Sequence, residues 1–146
     1  MNPQPVLRVQ NLSIELPVGA DRSHAVHGIS LEVRKGEILC VIGESGSGKS
    51  VLSAAIMGDY AKGLRHAGGV IDFLGDDICA LDEPRLRQLR GNRIAMIFQE
   101  PMAALNPAIR IGKQVEEIFD IHAPQMPQRE RRERMLAPVS YTHLTL

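Results

Sequence analysis

Residues Gly43-Glu44-Ser45-Gly46-Ser47-Gly48-Lys49-Ser50 spell G-x-x-x-x-G-K-S directly after the apolar run ILCVI at 38–42. Strand, glycine-rich turn and helix start in that order define a phosphate-binding P-loop. A chain of this size matches the pattern by accident on the order of once in a few hundred cases. The expected local structure is a buried strand over 38–42, the loop itself, and a helix opening at Gly48. Glycines at 43, 46 and 48 let the backbone adopt conformations closed to other residues and approach phosphate closely. Successive backbone N–H groups then make an anion nest, reinforced by the positive end of the helix dipole. In this motif Lys49 is expected to reach the β- and γ-phosphates and the Ser50 hydroxyl to ligate Mg²⁺. Phosphate-binding residues are thus expected at Gly43, Glu44, Ser45, Gly46, Ser47, Gly48, Lys49 and Ser50, with ATP and Mg²⁺ as the ligands.

Length and composition narrow the remaining choices. The chain has 146 residues, enough for one domain with a core, and its formal net charge is zero. Overall charge therefore gives no pointer to nucleic acid or to an anionic membrane. Its two cysteines, Cys40 in the expected strand and Cys79 in a connecting segment, have no metal or redox spacing and suit a reducing compartment. No apolar run approaches the roughly twenty residues of a membrane span, and the opening MNPQP lacks a secretory pattern. A role at a membrane is expected to be peripheral, through a partner.

Near-alternation of Leu7, Val9, Leu12, Ile14 and Leu16 predicts a strand over 7–16, followed by a turn at Pro17-Val18-Gly19-Ala20-Asp21. A second strand is expected over 24–33, ending in the tight turn Arg34-Lys35-Gly36-Glu37. Residues 51–57 continue the P-loop helix, and a short strand is bracketed by glycines over 68–75. Asp82-Glu83-Pro84 marks a helix start capped by Asp82 and running to about Leu89, with a strand to follow over 94–98. Ile111, Val115, Ile118 and Phe119 recur at helical spacing, predicting a helix over 110–121. The order of elements points to α/β. About forty β-rich residues precede the P-loop, unlike compact kinases and small GTPases, where the loop lies close to the N-terminus.

A second constellation, IAMIFQEPMAALNP at 94–107, places Gln99 at the expected carboxyl end of a strand, the edge where ligands bind in α/β sheets. Its amide carbonyl there could bind Mg²⁺ or the attacking water. With the P-loop about fifty residues upstream, the chain resembles the nucleotide-binding subunit of ATP-binding-cassette (ABC) transporters. Within that family it is similar to the dipeptide/oligopeptide/nickel importer group. The likeness runs from about Val6 to His122 and rests on VLRVQNLSIEL, GESGSGKS and RIAMIFQEPMAALNP.

The resemblance implies an ABC-type P-loop NTPase fold. It also implies an ATPase in which Lys49 and Gln99 serve catalysis and Ser50 and Gln99 serve the metal. Gln99 would be the Q-loop residue that senses the γ-phosphate and relays nucleotide state. Partners implied are a second nucleotide-binding domain, transmembrane permease subunits and, indirectly, an extracytoplasmic solute-binding protein, with no nucleic acid. The place implied is the cytoplasmic face of the cell membrane.

Two departures stand out. The family's adenine-stacking aromatic falls at Leu16 here, with His24 as a substitute. Nothing matches the LSGGQ signature, the Walker B strand or the switch His, so the chain reads as an N-terminal fragment truncated before them. The parent is expected to hydrolyse ATP and the fragment itself to be inactive.

Residues 129–136 are highly charged, and RERRERML predicts a helix with a solvated face. The octapeptide VSYTHLTL at 139–146 breaks that pattern and matches one reading frame of a transposase-type sequencing adapter. Residues 1–138 are therefore expected to be a partial nucleotide-binding domain and 139–146 an artefact. Competing classes are a P-loop kinase or phosphotransferase, a soluble ABC ATPase acting on DNA or ribosomes, and a non-catalytic ATP-binding fragment. The first leaves the Gln99–Pro107 stretch unexplained.

Overall fold

The structure, a computed structural model, describes residues 4–100 and 105–140. Residues 101–104 of the expected proline turn, and 141–146 of the expected artefact, lie outside the described residues. The chain divides into two compact units, residues 1–90 and 91–146.

The first unit is built on a four-stranded antiparallel sheet with strand order β2-β1-β3-β4. Its strands are β1 (Leu7–Glu15), β2 (His24–Val33), β3 (Arg65–Phe73) and the two-residue β4 (Asp76–Asp77). β1 is central, pairing Leu7 with Val33 on one side and with Phe73 on the other. Alternation puts Val9 into the core, yet the next buried residues are Leu12 and Ile14, on the opposite parity. The break is a bulge. On both sides of β1 the pairing advances three residues against the partner's two, between Val9 and Leu12 and between Gln10 and Ser13. Asn11 sits there at φ 48, a left-handed conformation that asparagine tolerates better than most residues. Opposite it, Gly69 at φ 88 leaves no room for a side chain, since a Cβ would lie 2.5 Å from the Gln10 carbonyl oxygen.

One face of this sheet carries the core. Val9, Leu12, Ile14 and Ile71 are fully buried, each contributing about 1.5–3 kcal/mol through loss of water contact. Helix α1 (Lys49–Ile56) buries Leu52 and Ala55, the 3₁₀ turn Ile78–Ala80 buries Ile78, and α2 (Glu83–Leu89) buries Leu86. Asp82 caps α2, its carboxylate accepting the Arg85 N–H at 3.1 Å, with Pro84 in the first turn as the sequence predicts. Arg90 closes the far end of α1. Its guanidinium donates to the carbonyls of Met57 and Gly58, both at 2.8 Å, and to Glu83 at 3.0 Å. These carbonyls belong to the C-cap Met57 and to the residue after it, where the helix offers no partner.

In the second unit, α3 (Ile111–His122) and α4 (Gln128–Ser140) pack together. Arg131 ties the connection between them. It pairs with Asp120 and donates to the carbonyls of Met126 at 2.8 Å and Pro124 at 2.9 Å. The expected charged helix is thus present and runs through Ser140, two residues into the segment expected to be an artefact.

Two expectations fail. No strand forms over 38–42, where Ile38 is 90% and Ile42 93% exposed and Cys40 is exposed rather than buried. Nor does one form over 95–98, where Ile97 is 92% exposed. The physical reason is the same in both. An apolar run becomes a strand only when neighbouring strands take up its backbone N–H and C=O groups, and the four-strand sheet includes neither run. The mixed α/β class stands, with the described sheet wholly antiparallel.

Candidate functional site

The P-loop keeps its turn and its helix without the strand before it. Gly46 and Gly48 adopt φ 79 and 92, and Gly48 forms the N-cap of α1. The reason for glycine at 48 is double. Besides its left-handed backbone, a Cβ there would meet the Ala25 carbonyl oxygen at 2.3 Å and Val26 Cγ2 at 3.2 Å. The loop therefore beds directly on the start of β2. Gly43 is tight for a milder reason, because a Cβ would lie 2.7 Å from the Ser47 hydroxyl.

Lys49 begins α1, and its ammonium group folds back over the loop. It donates to the carbonyls of Gly43 at 2.7 Å and Glu44 at 2.6 Å, and to the Ser47 hydroxyl at 3.3 Å. An ammonium has three donors and no acceptor, so these contacts use all of them. Ser47 N–H in turn donates to the Glu44 carbonyl at 3.2 Å. Glu44, Ser45 and Ser50 are exposed, and the Ser50 hydroxyl is on the first turn of α1. Beside the loop is a cavity of about 250 Å³, lined by Val26, His27, Ile29, Val41, Ser47 and Lys49 among others.

The structure thus groups residues 43–50 in one loop and the first turn of α1. Gln99 lies in the second unit, exposed, in a bend rather than at a strand end. After it, Asn106-Pro107 forms a turn locked by Gln114. The Gln114 side chain accepts the Asn106 N–H at 2.8 Å and donates to the carbonyls of Asn106 and Ile109 at 3.0 and 2.7 Å. Leu16 is half-buried at the end of the first hairpin arm. His24 is hydrogen-bonded to Ser23 at 2.8 Å with its ring 4.6 Å from that of His27.

Sequence reasoning missed two features. Arg22, in the loop joining β1 to β2, donates to the Gly46 carbonyl at 2.6 Å, a contact between residues 24 positions apart with no motif to announce it. Tyr60 and Cys79 face each other at 4.0 Å, and burial pushes both side chains to higher pKa than usual.

A family model described as "ABC transporter" matches residues 26–145. This chain belongs to the ABC transporter family. It is 39% identical over 138 residues to the dipeptide transport ATP-binding protein DppD of Bacillus subtilis (strain 168), covering 92% of this chain and 40% of that protein. With DppD of Lactococcus lactis subsp. cremoris (strain MG1363) it shares 38% identity over 136 residues, covering 93% and 39%. The chain therefore spans about two-fifths of the length of these relatives. Among solved structures, the ATP-binding cassette MJ0796 in a dimeric post-hydrolysis state bound to ADP and Pi superposes with a TM-score of 0.70. That match has 23% identity and covers 90% of this chain and 54% of the other, which establishes the fold. Among the described residues, no helix is long and apolar enough to cross a membrane.

Proposed function

We propose that this chain supplies part of the ATP-binding subunit of an ABC importer that couples ATP binding and hydrolysis to uptake of peptides or a similar small solute. The observation that carries the reading is the loop 43–50, with left-handed glycines at 46 and 48 leading into α1 and the Lys49 ammonium held at its face. Similarity to two dipeptide transport ATP-binding proteins supports the solute class.

In this reading residues 43–48 wrap the phosphates with backbone N–H groups, that of Ser47 excepted because it stays on Glu44, and Lys49 leaves the Gly43 and Glu44 carbonyls for phosphate oxygens. Phosphoryl transfer to water depends mainly on positioning and charge neutralisation. Lys49 supplies charge, and its stem is fixed by the first turn of α1. Ser50 and Gln99 each offer a neutral oxygen of the kind that suits Mg²⁺, a hard cation that keeps several waters and leans on substrate phosphates. Such residues would hold the ion, which would supply charge neutralisation at the transferred group. Gln99 would couple nucleotide state to permease subunits. A second nucleotide-binding domain would complete each site, on the cytoplasmic face of the membrane with a solute-binding protein acting further out. Residues 139–146 are proposed to be foreign to the natural protein, a point that an adapter-trimmed reading of the locus decides.

Titration with Mg-ATP tests the site. Binding by the chain and loss of most affinity in Lys49→Ala are expected, because a charge-assisted contact disappears. Equal binding by both proteins overturns the assignment. Neither the Gln99 amide nor the Lys49 ammonium can take a proton from the attacking water, so steady-state hydrolysis should not exceed background. Turnover abolished by Lys49→Ala would contradict that.

A further inference from the structure

The β1–β2 connection brings a second cation to the phosphate loop. It is closed by the Leu16 N–H bonding the Ser23 carbonyl at 2.9 Å and by an inner turn in which Ala20 N–H reaches the Pro17 carbonyl at 3.1 Å. Arg22 lies just inside that closure, two residues before His24 opens β2. Because Gly48 beds on Ala25, Gly46 falls alongside Arg22, and the guanidinium donates to the Gly46 carbonyl at 2.6 Å. The Ser47 N–H of the same peptide is bonded to Glu44. A trans peptide holds its C=O and N–H on opposite sides, so Arg22 on one side and Glu44 on the other fix the plane of the loop's tip. Among the described residues no carboxylate pairs with Arg22, so its positive charge stands uncompensated one hydrogen bond from the phosphate-binding backbone.

We propose that Arg22 is a positioning residue for the phosphate loop: it orients the Gly46–Ser47 peptide and adds a positive charge that favours nucleotides in proportion to their phosphate count. The inference rests on the nucleotide reading of the loop. It assigns to the first hairpin an electrostatic part in holding the polyphosphate, separate from any contact with the base.

The test is a titration of the intact chain with adenosine, AMP, Mg-ADP and Mg-ATP, at low and at moderate salt, for the unaltered protein and for Arg22→Ala, Arg22→Lys and Lys49→Ala. Arg22→Ala should weaken Mg-ATP about threefold to tenfold, the range of one partly exposed charge-assisted contact. The loss should grow from AMP to ATP, be absent for adenosine, and shrink as salt is raised. Arg22→Lys should recover part of the affinity, since lysine keeps the charge without the planar fork. Arg22→Ala binding ATP as tightly as the unaltered chain, while Lys49→Ala does not, overturns the proposal and leaves the loop's assignment intact. An equal loss for every ligand, unrelieved by lysine, also overturns it, because it reports general damage to the loop. If the unaltered chain takes up no Mg-ATP, the nucleotide reading and this proposal fall together.

Discussion

Single residues set the limits of this site more sharply than the motif suggests. Gly46 and Gly48 share a left-handed backbone, yet only Gly48 is pressed against a neighbour, the Ala25 carbonyl. Gly46→Ala should lower stability by about 1 kcal/mol for its backbone strain alone. Gly48→Ala should cost about 3 kcal/mol or more, because the added methyl also displaces β2. Urea unfolding of both variants checks this, and equal losses would disprove the packing argument. Tyr60 and Cys79 make a pH prediction. Burial, ahead of the neighbouring Cys79 and Asp77, raises Tyr60 above its ordinary value of about 10, and burial likewise raises Cys79. The folded state thus holds both protons more tightly than the unfolded chain does. Their stabilising effect is complete below the ordinary pKa values and declines as pH climbs through and beyond them. Stability measured from pH 7 to 11 should fall at the alkaline end, and Tyr60→Phe should flatten part of that fall. The P-loop and the Asp82 cap could be read in advance because each is local chemistry within a few consecutive residues. The Arg22 contact could not, since it joins positions 24 apart through a hairpin and a loop that meet only in the fold.

Elements with self-contained signals formed where periodicity placed them. α2 begins behind Asp82, and α3 covers Ile111–His122. Helices satisfy their own backbone, so pattern and caps suffice to locate them. Strands depend on company. The run 38–42 is as apolar as any in the chain, but its hydrophobicity names no partner, and the described sheet pairs other segments. Gln99 lost its expected place at a strand end for the same reason. The clamp at the end of α1 was equally hidden, because Arg90 reaches back more than thirty positions to Met57 and Gly58. Arg90→Ala removes two half-buried bonds to carbonyls and a contact to Glu83, and should destabilise the first unit by about 2 kcal/mol. Faster hydrogen exchange at the Met57, Gly58 and Asp59 amides than in the unaltered chain would be the local sign. Unchanged exchange at these amides would argue against the clamp.

At the scale of the molecule, Ile38, Ile42, Ile97 and Phe98 present apolar side chains on the surface. Exposed apolar side chains in either unit promote association, and unpaired backbone beside them adds to the tendency. The chain should sediment as progressively larger species as its concentration rises. Ile38→Lys with Ile42→Lys should shift it toward the monomer while leaving the urea midpoint nearly unchanged, as neither side chain belongs to the buried core. Unaltered association in that double variant would exclude this face as the cause. Lengthening and shortening the chain raise a different question, one answered at Asn11. Because β1 is flanked on both sides, its extra residue shifts the pairing with both neighbours at once, and both ladders recover their register at Ile14. Deleting Asn11 would leave Val9, Leu12 and Ile14 in plain alternation but remove the bulge around which both flanking ladders are paired, whereas dropping a residue near Gly19, at the open tip of the hairpin, would only shorten a bend. Length variation in this fold thus costs little at the hairpin's rim and breaks two ladders of pairing at its centre.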